Sequence, residues 1–209
     1  MRDLRSRLIF ALLGAASILF CGAAHAPLAA QEWAYRGGST KSGPTLQEYL
    51  KQAGPDAKLV VHGALTIDGQ RVNCGKRPTV LNPNFDSWGG AFPGFVILNN
   101  NKIAPLSTPT KLYVYSHECG HQFVGADEGK ADLFAIRRGV RWGWLDALGL
   151  EDICAFISQL KGDSVHPPGT KRCEAMRNYY RELIEKDKTR AASAPKPRPG
   201  TRAHTLGPQ

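Results

Sequence analysis

His117-Glu118-Cys119-Gly120-His121 is the stretch that most constrains this chain: two histidines four residues apart, with a glutamate directly after the first. Four residues advance an α-helix by slightly more than one turn. On a helix, therefore, both imidazoles leave from one face and can direct ring nitrogens at a single ion. The surrounding residues favour that helix. Thr108 is a candidate N-cap, with Pro109 at the first helical position, where its missing N–H costs nothing. Leu112, Tyr115, Cys119 and Phe123 then recur at steps of three or four as one apolar face, and Gly125 ends the run. Glu118 falls beside the histidine face, placed to take a proton from attacking water rather than to bind the ion.

A catalytic zinc needs a third protein ligand, and Glu128, seven residues beyond His121, offers one. Asp132 lies one helical turn further on the same face, where it can accept the free N–H of a ligand histidine and fix its tautomer. A competing reading uses Asp127, six residues after His121. That arrangement calls for glycine three residues past the second histidine and a later methionine turn; the chain has Val124 there and only Met176 downstream.

The pattern predicts further helices from about Asp127 to Trp142 before Gly143, from Asp146 to Leu160 before Gly162, and from Gly169 to Lys188. Upstream, Leu59-Val60-Val61, Leu65-Thr66-Ile67 and Gln70-Arg71-Val72 read as strands, with Asp68-Gly69 as a hairpin turn. Phe95 to Leu98 reads as another strand. Strands followed by helices predict an α+β fold: a small N-terminal antiparallel β region, then a helical half that carries the motif.

The formal net charge of +9 is unevenly spread: residues 1–30 hold +2 and residues 186–209 hold +5, leaving +2 for the interior of the chain. The basic excess therefore sits in the ends, and nucleic acid is not an expected partner. Arg2, Arg5 and Arg7 precede an apolar run from Leu8 to Ala24, the layout of an export signal over residues 1–30, cut after Ala30. Residues 31–188 form the expected domain, and Pro-rich residues 189–209 a flexible basic tail. The mature protein is thus expected to be secreted or periplasmic, without a stable membrane anchor; its oligomeric state is not legible. Four cysteines remain after the signal, and an oxidising compartment predicts two disulfides. Cys154 and Cys173 flank a connection between two helices and are the favoured pair, leaving Cys74 for Cys119 unless Cys119 stays a buried thiol.

Across residues 94–185 the chain resembles the gluzincin metallopeptidases, and among them the CAAX prenyl protease-like enzymes with their soluble periplasmic relatives. The resemblance rests on His117-Glu118-x-x-His121, on Glu128-x-x-Ala131-Asp132, on a further helix after Gly143, and on His166-Pro167 with Arg172 opening the last helix. It implies one zinc bound by His117, His121 and Glu128, supported by Asp132. It also implies an edge strand ahead of the motif helix that holds a peptide extended, for which Phe95 to Leu98 is the matching position. His166 and Arg172 would stabilise an oxyanion or orient Glu128, or else form only a helix start in which Arg172 pairs with a nearby acid. The expectation is a zinc-dependent endopeptidase with Glu118 as general base, His166 as a second catalytic group and a peptide or protein as substrate. The alternative is a non-catalytic, zinc-bearing envelope binding protein, against which the intact Glu118 speaks.

Overall fold

A computed structural model describes residues 43–164 and 166–193; the expected export signal and residues 194–209 of the expected tail lie outside them. Helix α1 (Leu46–Ala53) opens on a reciprocal cap, in which Thr45 accepts from the Glu48 N–H and the Glu48 carboxylate accepts from the Thr45 N–H at 2.7 Å. Six short strands follow: β1 (Lys58–Val60), β2 (Thr66–Ile67), β3 (Gln70–Arg71), β4 (Thr79–Leu81), β5 (Gly89–Phe92) and β6 (Phe95–Leu98). Strands β2 and β3 pair as the hairpin expected around Asp68-Gly69, both of which take positive φ, 46° and 82°. The other four form one sheet in the order β1-β4-β6-β5.

This sheet corrects two expectations. It is mixed rather than antiparallel, because β4 and β6 run parallel while β1/β4 and β5/β6 are antiparallel. Phe95–Leu98 is an interior strand, not an edge. All four of its residues are buried: Phe95 and Ile97 join Tyr49, Val80 and Phe92 in a core beneath α1, while Val96 and Leu98 join the larger core beneath the helices. A strand covered on both faces reads as an unbroken apolar run, which is what Phe95-Val96-Ile97-Leu98 is. The edge strands are β1 and β5, and the sequence pattern did not reveal β5.

The helical half consists of α2 (Asn100–Ile103), α3 (Thr108–Val124), α4 (Glu128–Trp142), α5 (Ala147–Ile157) and α6 (Gly169–Ser193). Helix α3 packs along α4, and α6 packs against both α4 and α5. The N-cap of α3 is Ser107, one residue earlier than expected, and the Thr108 hydroxyl instead donates to Asp68 Oδ2 at 2.7 Å. Leu112, Tyr115 and Cys119 are buried as expected, but Phe123 is 54% exposed because the core ends one turn earlier. Helix α5 stops at Ile157, short of the expected Leu160. Helix α6 continues past Lys188 to Ser193, so the first residues assigned to the tail are helical. Two disulfides close the fold: Cys74–Cys119 ties the segment after β3 to α3, and Cys154–Cys173 ties α5 to α6. Among the described residues no helix is long and apolar enough to cross a membrane.

Candidate metal centre

Two glycines let the site assemble. A Cβ on Gly120, in the middle of the motif, would stand 3.1 Å from the Ala131 Cα and 3.2 Å from its carbonyl oxygen. Without that Cβ, α3 and α4 approach closely enough for the first turn of α4 to face the histidines. A Cβ on Gly89 of β5 would stand 2.7 Å from Glu118 Cγ, so the edge strand leaves room for the Glu118 side chain beside it.

His117 Nε2 and His121 Nε2 then lie 3.1 Å apart. Glu128 completes the group, with Oε2 at 3.2 Å from His117 Nε2 and Oε1 at 3.4 Å from His121 Nε2. A tetrahedral ion with bonds of about 2.0–2.1 Å places its ligand atoms roughly 3.3 Å apart, so these three donors have the spacing of a zinc triad. Their outer atoms are engaged elsewhere. His121 Nδ1–H donates to the Gly125 carbonyl at 2.6 Å, and His117 Nδ1–H to Asp132 Oδ1 at 2.8 Å. Both neutral rings therefore present lone pairs inward, toward each other and toward a carboxylate. Such an arrangement is repulsive unless a cation or a proton sits between them. All three residues are buried.

Asp132 is the hub behind the ligands. Its Oδ1 accepts from His117, from the Tyr113 hydroxyl at 2.5 Å and from Arg172 Nη2 at 2.7 Å, and its Oδ2 accepts from Arg172 Nε at 2.8 Å. The fork from Arg172 is the bidentate geometry that fixes a carboxylate most firmly. Arg172 therefore does pair with an acid, and the acid is the one that holds His117. Tyr113 was not anticipated. It lies four residues before His117, on the same side of α3, and that spacing is the signal by which it was findable.

The electrostatics follow the geometry. Burial opposes charge on His117, yet its hydrogen bonds to Asp132 and Glu128 win and raise it to about 10. Without an ion, a proton holds the site. His121 is pushed down, by burial first and then by the charge on His117. Burial also opposes charge on Asp132 and Glu128, but their hydrogen bonds keep both below the usual carboxylate range. Glu118 goes the other way, raised to about 7 chiefly by burial.

Asp127 is excluded as the third ligand. Its carboxylate caps α4, accepting from the Lys130 N–H at 2.9 Å, and also pairs with Lys130 Nζ at 2.9 Å. His166 comes to the same centre from the connection between α5 and α6. Its Nε2 lies 3.4 Å from Glu128 Oε1, while its Nδ1 faces both oxygens of Asp163 at 2.9 and 3.0 Å. Every expected metal-site residue is thus brought together, and β5 and Tyr113 are the additions. Comparison with protein-family models, with curated proteins and with solved structures returned no match to this chain.

Proposed function

We propose that the chain is a zinc-dependent endopeptidase that hydrolyses peptide bonds outside the cytoplasm. The observation that carries this reading is the convergence of His117 Nε2, His121 Nε2 and Glu128 on one point, with Glu118 beside them and unused by any hydrogen bond to another described residue. A zinc ion held there supplies Lewis acidity, polarising a scissile carbonyl and acidifying water.

The chain's own residues supply the rest. Glu118 takes the proton of the attacking water and delivers it to the leaving amine, a double duty suited to a carboxyl raised to about 7. Asp132, locked by Arg172 and Tyr113, keeps His117 in the tautomer that offers Nε2. Gly125 does the same for His121. Strand β5 is the sheet edge next to Glu118, and an extended peptide can add to it. Arg172 is held by Asp132 through Nε and Nη2 as a positioning group, and His166, whose Nε2 reaches the centre at 3.4 Å from Glu128 Oε1, is the donor to a developing oxyanion. Two disulfides are compatible with an oxidising compartment.

The test compares wild type, Glu118→Gln and His166→Ala on a peptide library, with zinc content measured alongside. Glu118→Gln should keep its zinc and lose about 10²- to 10⁴-fold in turnover. His166→Ala should also keep zinc and lose about 10² to 10³. An active Glu118→Gln enzyme rejects the mechanism; zinc lost in His166→Ala reassigns that residue to holding Glu128.

A further inference from the structure

On the side of α3 away from the histidines, Asn73, Gly75, Cys119, Phe123, Phe134, Arg137, Arg138, Arg141 and Trp142 line a cavity of about 220 Å³. Three of these residues are arginines and none is acidic. Arg77 flanks the same place, its guanidinium 4.6 Å from the centre of the Phe123 ring. Phe123 and Phe134 stack with their planes 13° apart, and Arg138 lies 3.9 Å over the Trp142 ring. Phe123 and Trp142 are 54% and 46% exposed, large apolar groups left facing outward around a cationic hollow.

Arg138 is the informative member. It is only 8% exposed, yet among the described residues no carboxylate pairs with it. Its Nη1 donates to Cys119 Sγ, its Nη2 to the Asn73 carbonyl, and its buried Nε has no hydrogen-bond partner. Burial disfavours its charge. A buried guanidinium with no counter-ion is a charge left for something else to neutralise. Arg77, Arg137 and Arg141 likewise make no ion pair among the described residues. The chain's own ends are poor occupants, since both are basic.

We propose that this cavity is a binding site for a small organic anion, in which a phosphate or carboxylate is carried on a flat, aromatic-like body. The arginines take the anionic group, as guanidinium forks do, and the apolar surface that Phe123 and Trp142 leave exposed takes the flat part. The volume suits a ring with one charged substituent rather than a polymer. The site does not depend on zinc: it uses different residues on the opposite side of α3.

Calorimetric titration of the full mature chain with phenyl phosphate, inorganic phosphate and phenol tests this, with and without prior removal of metal by a chelator. Phenyl phosphate should bind at one per chain, equally in both metal states, and at least tenfold more tightly than inorganic phosphate or phenol. Arg137→Ala combined with Arg141→Ala, two exposed positions where the fold has little to lose, should weaken it at least tenfold. The proposal is overturned if phenyl phosphate gives no saturable binding at millimolar concentration or if the double variant binds as wild type does. It is also overturned if inorganic phosphate binds equally well, or if binding disappears with the metal, which would place the anion at the histidines.

Discussion

Helix α3 meets charge in opposite ways on its two sides. Beside the histidines, at the first turns of α4 and α6, buried Arg172 gives two hydrogen bonds to Asp132, and Asp132 passes that order on to His117. Away from the histidines, beside the later turns of α4, buried Arg138 finds a sulfur, a carbonyl and two aromatic rings but, among the described residues, no carboxylate. The first arginine completes a closed network whose role is positioning. The second is left open, and an open buried charge points to a ligand.

Truncating the two arginines separates these roles. Arg172→Met strands the Asp132 carboxylate in the interior, and breaking such a pair costs about 3–5 kcal/mol. It also loosens His117, which should weaken zinc by about 10- to 100-fold. Arg138→Met removes a charge that had no ionic partner and should cost about 1 kcal/mol, with zinc affinity unchanged. Chemical denaturation and zinc titration of both variants decide; equal losses would erase the distinction.

The Cys74–Cys119 bond joins the two sides, since Cys119 lies between His117 and His121 in the motif and lines the cavity. Replacing both cysteines by serine should cost about 2–4 kcal/mol, read as a lower melting temperature. The Cys154–Cys173 pair, which ties α5 to α6, should cost a similar amount while leaving the anion cavity as it is. Loss of phenyl phosphate binding in the second variant but not the first would reverse the assignment.

How far these features were readable depends on their range in sequence. The motif helix, its end at Gly125 and the start of α4 at Asp127 are local patterns, set by helical spacing and caps. Glu128 was within reach because only a tight turn separates it from His121. The fork from Arg172 to Asp132 spans 40 residues, so the sequence suggested an acid partner without saying which. Strand β5 is Gly-Gly-Ala-Phe, with no alternation to mark it, and its place beside Glu118 is set by pairing with β6. The exposure of Phe123 was unreadable because periodicity shows which side a residue faces, not how far the core extends.

The paired side should also impose a pH dependence on the metal-free protein that the open side does not. His117 is raised from 6.5 to about 10, so its contribution is fully present below pH 6.5 and is lost as pH rises through about 10. Glu118, raised from 4.5 to about 7, acts in the same direction between those values. Stability of chelator-treated protein should therefore fall as pH rises from 6.5 towards 10; below 6.5 the lowered His121 opposes Glu118, and Glu118→Gln should tilt that part of the profile upward. A flat profile in the metal-free wild type would contradict the proton-held site.

The central claim is that His117, His121 and Glu128 form one metal site, and elemental analysis of the purified chain beside His117→Ala, His121→Ala and Glu128→Ala tests it most directly. Wild type should carry one zinc per chain. Each histidine variant should carry none, and Glu128→Ala should hold it weakly enough to lose it on dialysis. Full zinc retention in the double variant His117→Ala with His121→Ala, or a wild-type chain that takes up no metal when zinc is supplied, would contradict the account.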